Sequence, residues 1–172
     1  MIINIAPIGN VDKGLIKYIE DHLSRYYNFS TQELKLNLDI KKFYSEERRQ
    51  YYSTQIIQEA AKFTGNVKDK VLILFEDDLF VPVFTYIFGE AQFNGKHAIV
   101  SLCRLHEEFY TGKTNQKLFF ERTLKEVLHE LGHTFNLKHC HDWDCLMHTS
   151  GGIEEVDIKG SGFCVECSKS IP

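Results

Sequence analysis

Residues 124–139 read Leu124-Lys125-Glu126-Val127-Leu128-His129-Glu130-Leu131-Gly132-His133-Thr134-Phe135-Asn136-Leu137-Lys138-His139. At about 100° per residue, Leu124, Val127, Leu128, Leu131 and Phe135 fall within one arc of a helical wheel, as a helix packed on a core requires. His129, Glu130 and His133 fall on the opposite side and face whatever cleft the helix borders. Residues four apart stack on one face, so His129 and His133 can grip a single metal ion. Glu130 borders that diagonal, where a base can reach a water held by the metal. A helix with solvated histidines is the plain alternative, and His139 argues against it. Six residues past His133, it would lie about 120° around a continuing helix, on the wrong face. The chain therefore has to turn between them. Asn136 is the natural place, because asparagine is the residue after glycine best suited to the left-handed conformation that ends helices. A turn there makes His139 a third ligand and leaves a fourth corner for water, as in catalytic zinc sites.

The spacing His129-Glu130-x-x-His133-x-x-Asn136-x-x-His139 resembles the metzincin zinc-peptidase signature, with Met147 standing where that clan keeps its Met-turn methionine. Cys140 directly after the third histidine, then Cys145, Met147 and Cys164-x-x-Cys167, narrow the resemblance to the archaemetzincins. These motifs span residues 129–167, and Gly89-Glu90-Ala91 and Ser101 to Leu105 are similar less specifically. One departure is plain: Asn136 stands where the family pattern has glycine.

The resemblance implies an α/β fold, a mixed twisted sheet packed on helices, with the metal helix as the floor of a cleft. It implies a zinc-dependent metallopeptidase in which His129, His133 and His139 hold a catalytic zinc and Glu130 is the general base. It also implies an antiparallel edge strand that pairs with an extended substrate backbone, a role expected here of Ala98 to Arg104; an ordinary interior strand is the alternative. Some metzincins carry a tyrosine two residues past the Met-turn methionine. Here that position is Thr149, which leaves the oxyanion helper unassigned.

Cys140, Cys145, Cys164 and Cys167 have the C-x4-C and C-x2-C spacing of a closed, all-thiolate zinc site. Neighbours in an extended segment point to opposite sides, so His139 can face one metal while Cys140 faces another. The expectation is two zinc ions per chain, one catalytic and one structural. Two disulfides are the alternative, opposed by the odd count of five cysteines and by the absence of an export signal. Cys103, the fifth, reads as a small buried residue in a strand.

A chain of 172 residues can bury a substantial core without covalent help, and a net charge of −4 gives no reason to expect nucleic acid or an anionic membrane as partner. Met1 to Pro7 has no basic segment and too short an apolar run for a signal peptide, and no apolar stretch approaches a membrane span. The expectation is a cytoplasmic monomer that takes a peptide or protein substrate. No linker or repeat divides the chain, so residues 1–172 read as one domain, with a sheet-and-helix part over 1–135. The C-terminal part, 136–172, carries Met147 and the four-cysteine site.

Apolar periodicity predicts strands at 1–6, 34–40, 71–75, 84–88 and 97–105, and helices near 11–26, 45–63 and 115–135, the second capped by Ser45. The tail after Cys140 reads as irregular and held by metal instead of packing. Glu126 and the histidines His141 and His148 read as solvated, with roles beside the metal as the alternative. Glu90 is a candidate for binding a substrate amine. The competing function is a zinc-stabilised protein that binds peptides without cleaving them, though such a binder has no need of Glu130.

Overall fold

The computed structural model describes residues 1–172. Its main sheet is built from apolar runs whose alternate residues serve two separate cores. In β5 (Lys70–Phe75), Leu72 and Leu74 enter one core while Val71, Ile73 and Phe75 enter the other. The same division by alternate residue occurs in β1 (Ile2–Ile8) and β8 (His97–Ser101), because successive side chains leave a strand on opposite faces. With β2 (Ser30–Glu33) and β7 (Gly89–Ala91), these strands form a sheet of order β2-β1-β5-β8-β7. All neighbours are parallel except β7, which runs antiparallel to β8. The result is the α/β mixed sheet that the sequence implies.

Helices α1 (Lys13–Tyr27) and α4 (Gln116–Thr134) cover the larger core, α1 bringing Leu15, Ile19 and Leu23 and α4 bringing Leu124, Val127, Leu128 and Leu131. Side chains start both: Asp12 accepts from the Gly14 N–H at 2.6 Å, and Asn115 accepts from the Leu118 N–H at 3.1 Å. Helix α2 (Ser53–Phe63) covers the other face with Ile56, Ile57 and Ala60. No helix is long and apolar enough to cross a membrane.

Several expectations are corrected. Leu34, Leu36, Leu38 and Ile40 do pack on the second core, but past the Leu34 N–H bond to the Ile5 carbonyl they belong to no strand; the strand is the preceding Ser30–Glu33. Alternation here records an extended chain with one side on the core. The helix expected from Ser45 begins at Ser53, because β3 (Tyr44–Ser45) and β4 (Gln50–Tyr52) form a small hairpin first, with Arg49 turning it at φ 55°. β4 then pairs with β6 (Leu79–Phe80) in a second, three-stranded sheet. Residues 84–88 form no strand: Ile87 makes an isolated bridge to Leu79, and the Phe88 carbonyl accepts from the Ser101 N–H at 2.8 Å. Cys103 lies in a 3-10 turn, Cys103–Leu105, where burial pushes its thiol up to about 11. Ala98 to Arg104 is not a rim: β8 lies between β5 and β7, and the free antiparallel edge belongs to β7. After a short α3 (Glu108–Thr111) and the long α4, the tail is not irregular. It forms α5 (Ile153–Ile158) and α6 (Val165–Ser168), and Leu146, Ile153 and Val156 join the larger core.

Candidate metal centre and cleft

Helix α4 ends as its sequence requires. Asn136 takes φ 70°, the Leu137 N–H donates to the Gly132 carbonyl at 3.0 Å, and the Asn136 N–H donates to the His133 carbonyl at 3.1 Å. This is a Schellman ending, and it sends the chain back toward the helix. The return brings His139 beside His129 and His133, with ring centroids 4.7, 5.4 and 5.0 Å apart pairwise.

Hydrogen bonds fix how two of these rings present themselves. His129 Nδ1 lies 2.7 Å from the Leu146 carbonyl and His133 Nδ1 lies 2.8 Å from the Leu137 carbonyl. A carbonyl can only accept, so both Nδ1 atoms carry hydrogens. Burial lowers the proton affinity of His129 well below the usual histidine range and lowers that of His133 and His139 as well, which favours neutral rings. The Nε2 atoms of His129 and His133 then bring two bare lone pairs to 3.1 Å from each other. That contact repels unless a cation lies between them. Nitrogen donors of all three histidines converge within 4.8 Å, a donor set that fits zinc with an open position.

Glu130 is buried beside them, and burial pushes its carboxyl well above the usual carboxylate range, with the charge of Glu126 adding to the effect. The edge strand presses on it. A Cβ on Gly89 would come within 2.6 Å of Glu130 Cγ and 2.8 Å of Oε1, so the missing side chain lets strand and carboxylate share the space. Gly132 does the same on the helix's other side, where an added Cβ would collide with Met147 Sδ. Met147 is fully buried under the metal helix. The sequence signals these glycines only weakly, Gly89 through the unspecific likeness of Gly89-Glu90-Ala91 to the family and Gly132 as a glycine inside a helix, which costs about 1 kcal/mol against alanine and so asks for a reason.

The sulfurs of Cys140, Cys145, Cys164 and Cys167 also converge within 4.8 Å, and none forms a disulfide. Cys140 and Cys164 Sγ are 3.9 Å apart, close to the roughly 3.8 Å edge of a tetrahedron with zinc–sulfur bonds near 2.3 Å and far from a bonded pair. Backbone N–H groups of Met147 and Cys164 point at Cys145 Sγ at 3.4 and 3.3 Å, as they do toward thiolates. The Cys140 N–H donates to the Met147 carbonyl at 2.9 Å, tying the two segments together.

The other candidates are redistributed. Glu126, expected on the surface, is buried and paired to the fully buried Lys159 at 2.6 Å. His148 is buried, packed against Trp143 with ring centroids 4.0 Å apart and the planes tilted by 33°, and its Nδ1 lies 3.1 Å from the Cys140 carbonyl; His141 is exposed, as expected. Glu90 accepts from the Ser53 hydroxyl and from the Thr54 hydroxyl at 2.8 Å, so its carboxylate anchors the start of α2 and is not a free amine receptor. The three histidines, Glu126, Glu130, β7, Phe84 to Phe88, Phe93 and Thr149 to Gly151 enclose a cleft of about 490 Å³.

A family model described as peptidase family M54 matches residues 33–172. The archaemetzincin of Methanocaldococcus jannaschii is 34% identical over 171 residues, covering 99% of this chain and 93% of that one. Two crystal structures are similar throughout. Archaemetzincin from Methanopyrus kandleri has a TM-score of 0.87 at 31% identity, covering 99% of this chain and 93% of that one. Archaemetzincin from Archaeoglobus fulgidus, complexed with malonate, has 0.83 at 30% identity, covering 99% and 100%.

Proposed function

The chain belongs to peptidase family M54, the archaemetzincins, and is a zinc metallopeptidase; on that premise we propose that it cleaves peptide bonds with Glu130 as general base, His129, His133 and His139 as the ligands of the catalytic zinc, and Met147 as their support. The observation that carries these roles is the opposed pair of bare Nε2 atoms beside a buried carboxylate, all facing one cleft. Zinc bound there supplies a Lewis acid that acidifies water and polarises the scissile carbonyl. Glu130 takes the proton of the attacking water and delivers it to the leaving amine, a role supported by its place in the cleft beside the three histidines. The unpaired edge of β7 receives the substrate backbone as an added strand, and Phe84, Phe88 and Phe93 favour apolar side chains beside it.

A second zinc, held by Cys140, Cys145, Cys164 and Cys167, fixes the segment that carries His139. It brings the content to two per chain. The chain acts as one domain, a cytoplasmic monomer without nucleic-acid or membrane partners, a reading supported by its net charge of −4.

The test is cleavage of an unbiased peptide library by the native protein and by Glu130→Ala, with elemental analysis of both. Two zinc ions in each, with turnover lost in the variant by at least about a hundredfold, is the expected result. Activity that survives in Glu130→Ala removes the glutamate from the mechanism, and peptide retention without cleavage by the native protein makes it a binder.

A further inference from the structure

Tyr86 spans the cleft. Its ring leaves the upper rim just before β7, and its hydroxyl donates to the Gly151 carbonyl on the opposite wall at 3.1 Å. Both ends of this contact are anchored. Behind the ring, the Arg104 guanidinium lies 4.0 Å from the ring centroid and is locked to Asp78 by paired hydrogen bonds of 2.8 and 2.7 Å. On the other wall the Gly151 N–H donates to Glu155 in α5, and α5 is fastened to α4 by the Arg122–Asp157 pair at 2.7 Å. The strap thus joins the rim to the α5 wall across one end of the cleft; at the Phe93 end the rim is tied to the floor helix, the Asn94 N–H donating to the His133 carbonyl at 2.9 Å.

Gly89 lies directly over Glu130 and so marks the level of the reacting atoms along β7. Tyr86 is three residues before it, at most about 10 Å of extended chain, which leaves room for roughly three substrate residues between the reacting centre and the strap. β7 is itself an antiparallel edge, and antiparallel pairing is the more common kind, so a peptide added to it runs from Ala91 toward Gly89. Its C-terminal side then meets Tyr86.

Resting on the peptidase reading, we propose that the Tyr86–Gly151 strap makes the protein selective for scissile bonds within about three residues of a peptide's C-terminus, a longer tail having to break the strap. The experiment uses a nested series with a constant N-terminal half and two, four, six or eight residues beyond the scissile bond. It is built on the library peptide cleaved best or, if none is cleaved, retained best on immobilised Glu130→Ala. Turnover is measured with the native protein, Tyr86→Phe and Tyr86→Ala, and affinity by fluorescence anisotropy with Glu130→Ala and with the Glu130→Ala/Tyr86→Ala double variant.

In the native protein kcat/KM should fall about tenfold between two and six residues, the scale of one hydrogen bond and one cation–π contact. Tyr86→Phe should shrink that ratio and Tyr86→Ala should abolish it. A step in affinity with tail length, present in Glu130→Ala and absent from the double variant, supports the strap even where no peptide is cleaved, and then the peptidase reading alone fails. Equal handling of all tails by the native protein overturns the strap, as does a length step that persists in Tyr86→Ala or one that follows N-terminal extension instead.

Discussion

Asn136 holds φ at 70°, and the turn it makes does two jobs: it returns His139 to the other histidines and aims the Leu137 carbonyl at His133 Nδ1. A left-handed conformation costs an ordinary residue about 1–2 kcal/mol and glycine almost nothing. Asn136→Gly should therefore match or slightly exceed the native melting temperature and keep its zinc. Asn136→Val should lose about 1–3 kcal/mol, because a β-branched side chain resists that conformation. Its damage should appear first as zinc lost from the histidine site under mild chelation. Equal zinc retention and melting in both variants would show that the turn does not carry the third ligand. This position was legible because helical geometry forbids His139 on a straight helix. Glu126 and His148 were not, since a polar residue's partner can sit far along the chain: Lys159 is 33 residues from Glu126. Gly89 was only weakly legible for a related reason, because what it makes room for comes from another element.

At the scale of elements, α4 grips α5 with three successive side chains on one of its edges. Arg122 takes Asp157, Lys125 Nζ donates to the carbonyls of Val156, Asp157 and Lys159 at 2.9, 2.9 and 2.7 Å, and Glu126 receives Lys159. Side chains of Lys159 and Glu126 are 0% and 4% exposed, so each ion has little but the other for solvation. Removing one partner of such a pair typically costs about 3–5 kcal/mol, whereas replacing both by apolar residues of similar size is often neutral. Lys159→Met should accordingly be strongly destabilised in denaturant titration, and Glu126→Leu with Lys159→Met should recover most of the loss. A double variant no better than the single one would mean that Lys159 serves some other group in the floor of the cleft. The long elements were readable because α4, α1 and β5 carry their own periodicity and caps. The segment from Leu34 to Tyr52 misled because its apolar residues answer to a core made by β5 and α2, and its hairpin depends on pairing with the distant β6. The rim was misplaced for the same reason: β7 is three residues long, and only its neighbours identify it as the edge.

The molecule as a whole hangs on a sheet with a core on each face, and one buried histidine in it titrates apart from the metal centre. His97, at the start of β8, is 4% exposed, with Nδ1 2.8 Å from Gln92 Oε1 and Nε2 2.7 Å from the Thr64 hydroxyl. Burial, helped by the charge of Lys96, brings its pKa down to about 4 from the ordinary 6.5. In the unfolded chain the ring takes up a proton as the pH drops below 6.5; in the folded protein it stays neutral until about 4. Between these values the unfolded state binds more protons, so stability falls as pH falls, and above 6.5 this histidine contributes no slope. His97→Gln keeps polar contacts to Thr64 and Gln92 within reach and removes the titration. Its unfolding free energy, measured by denaturant at constant zinc from pH 7.5 to 4.5, should lie at or below the native value at neutral pH and then decline less steeply. The three convergent histidines and the four cysteines impose their own acid sensitivity on both proteins, which the difference between the two curves cancels. Parallel curves across the whole range would show that His97 takes up its proton at the same pH in the folded protein as in the unfolded chain, so that its burial does not shift it.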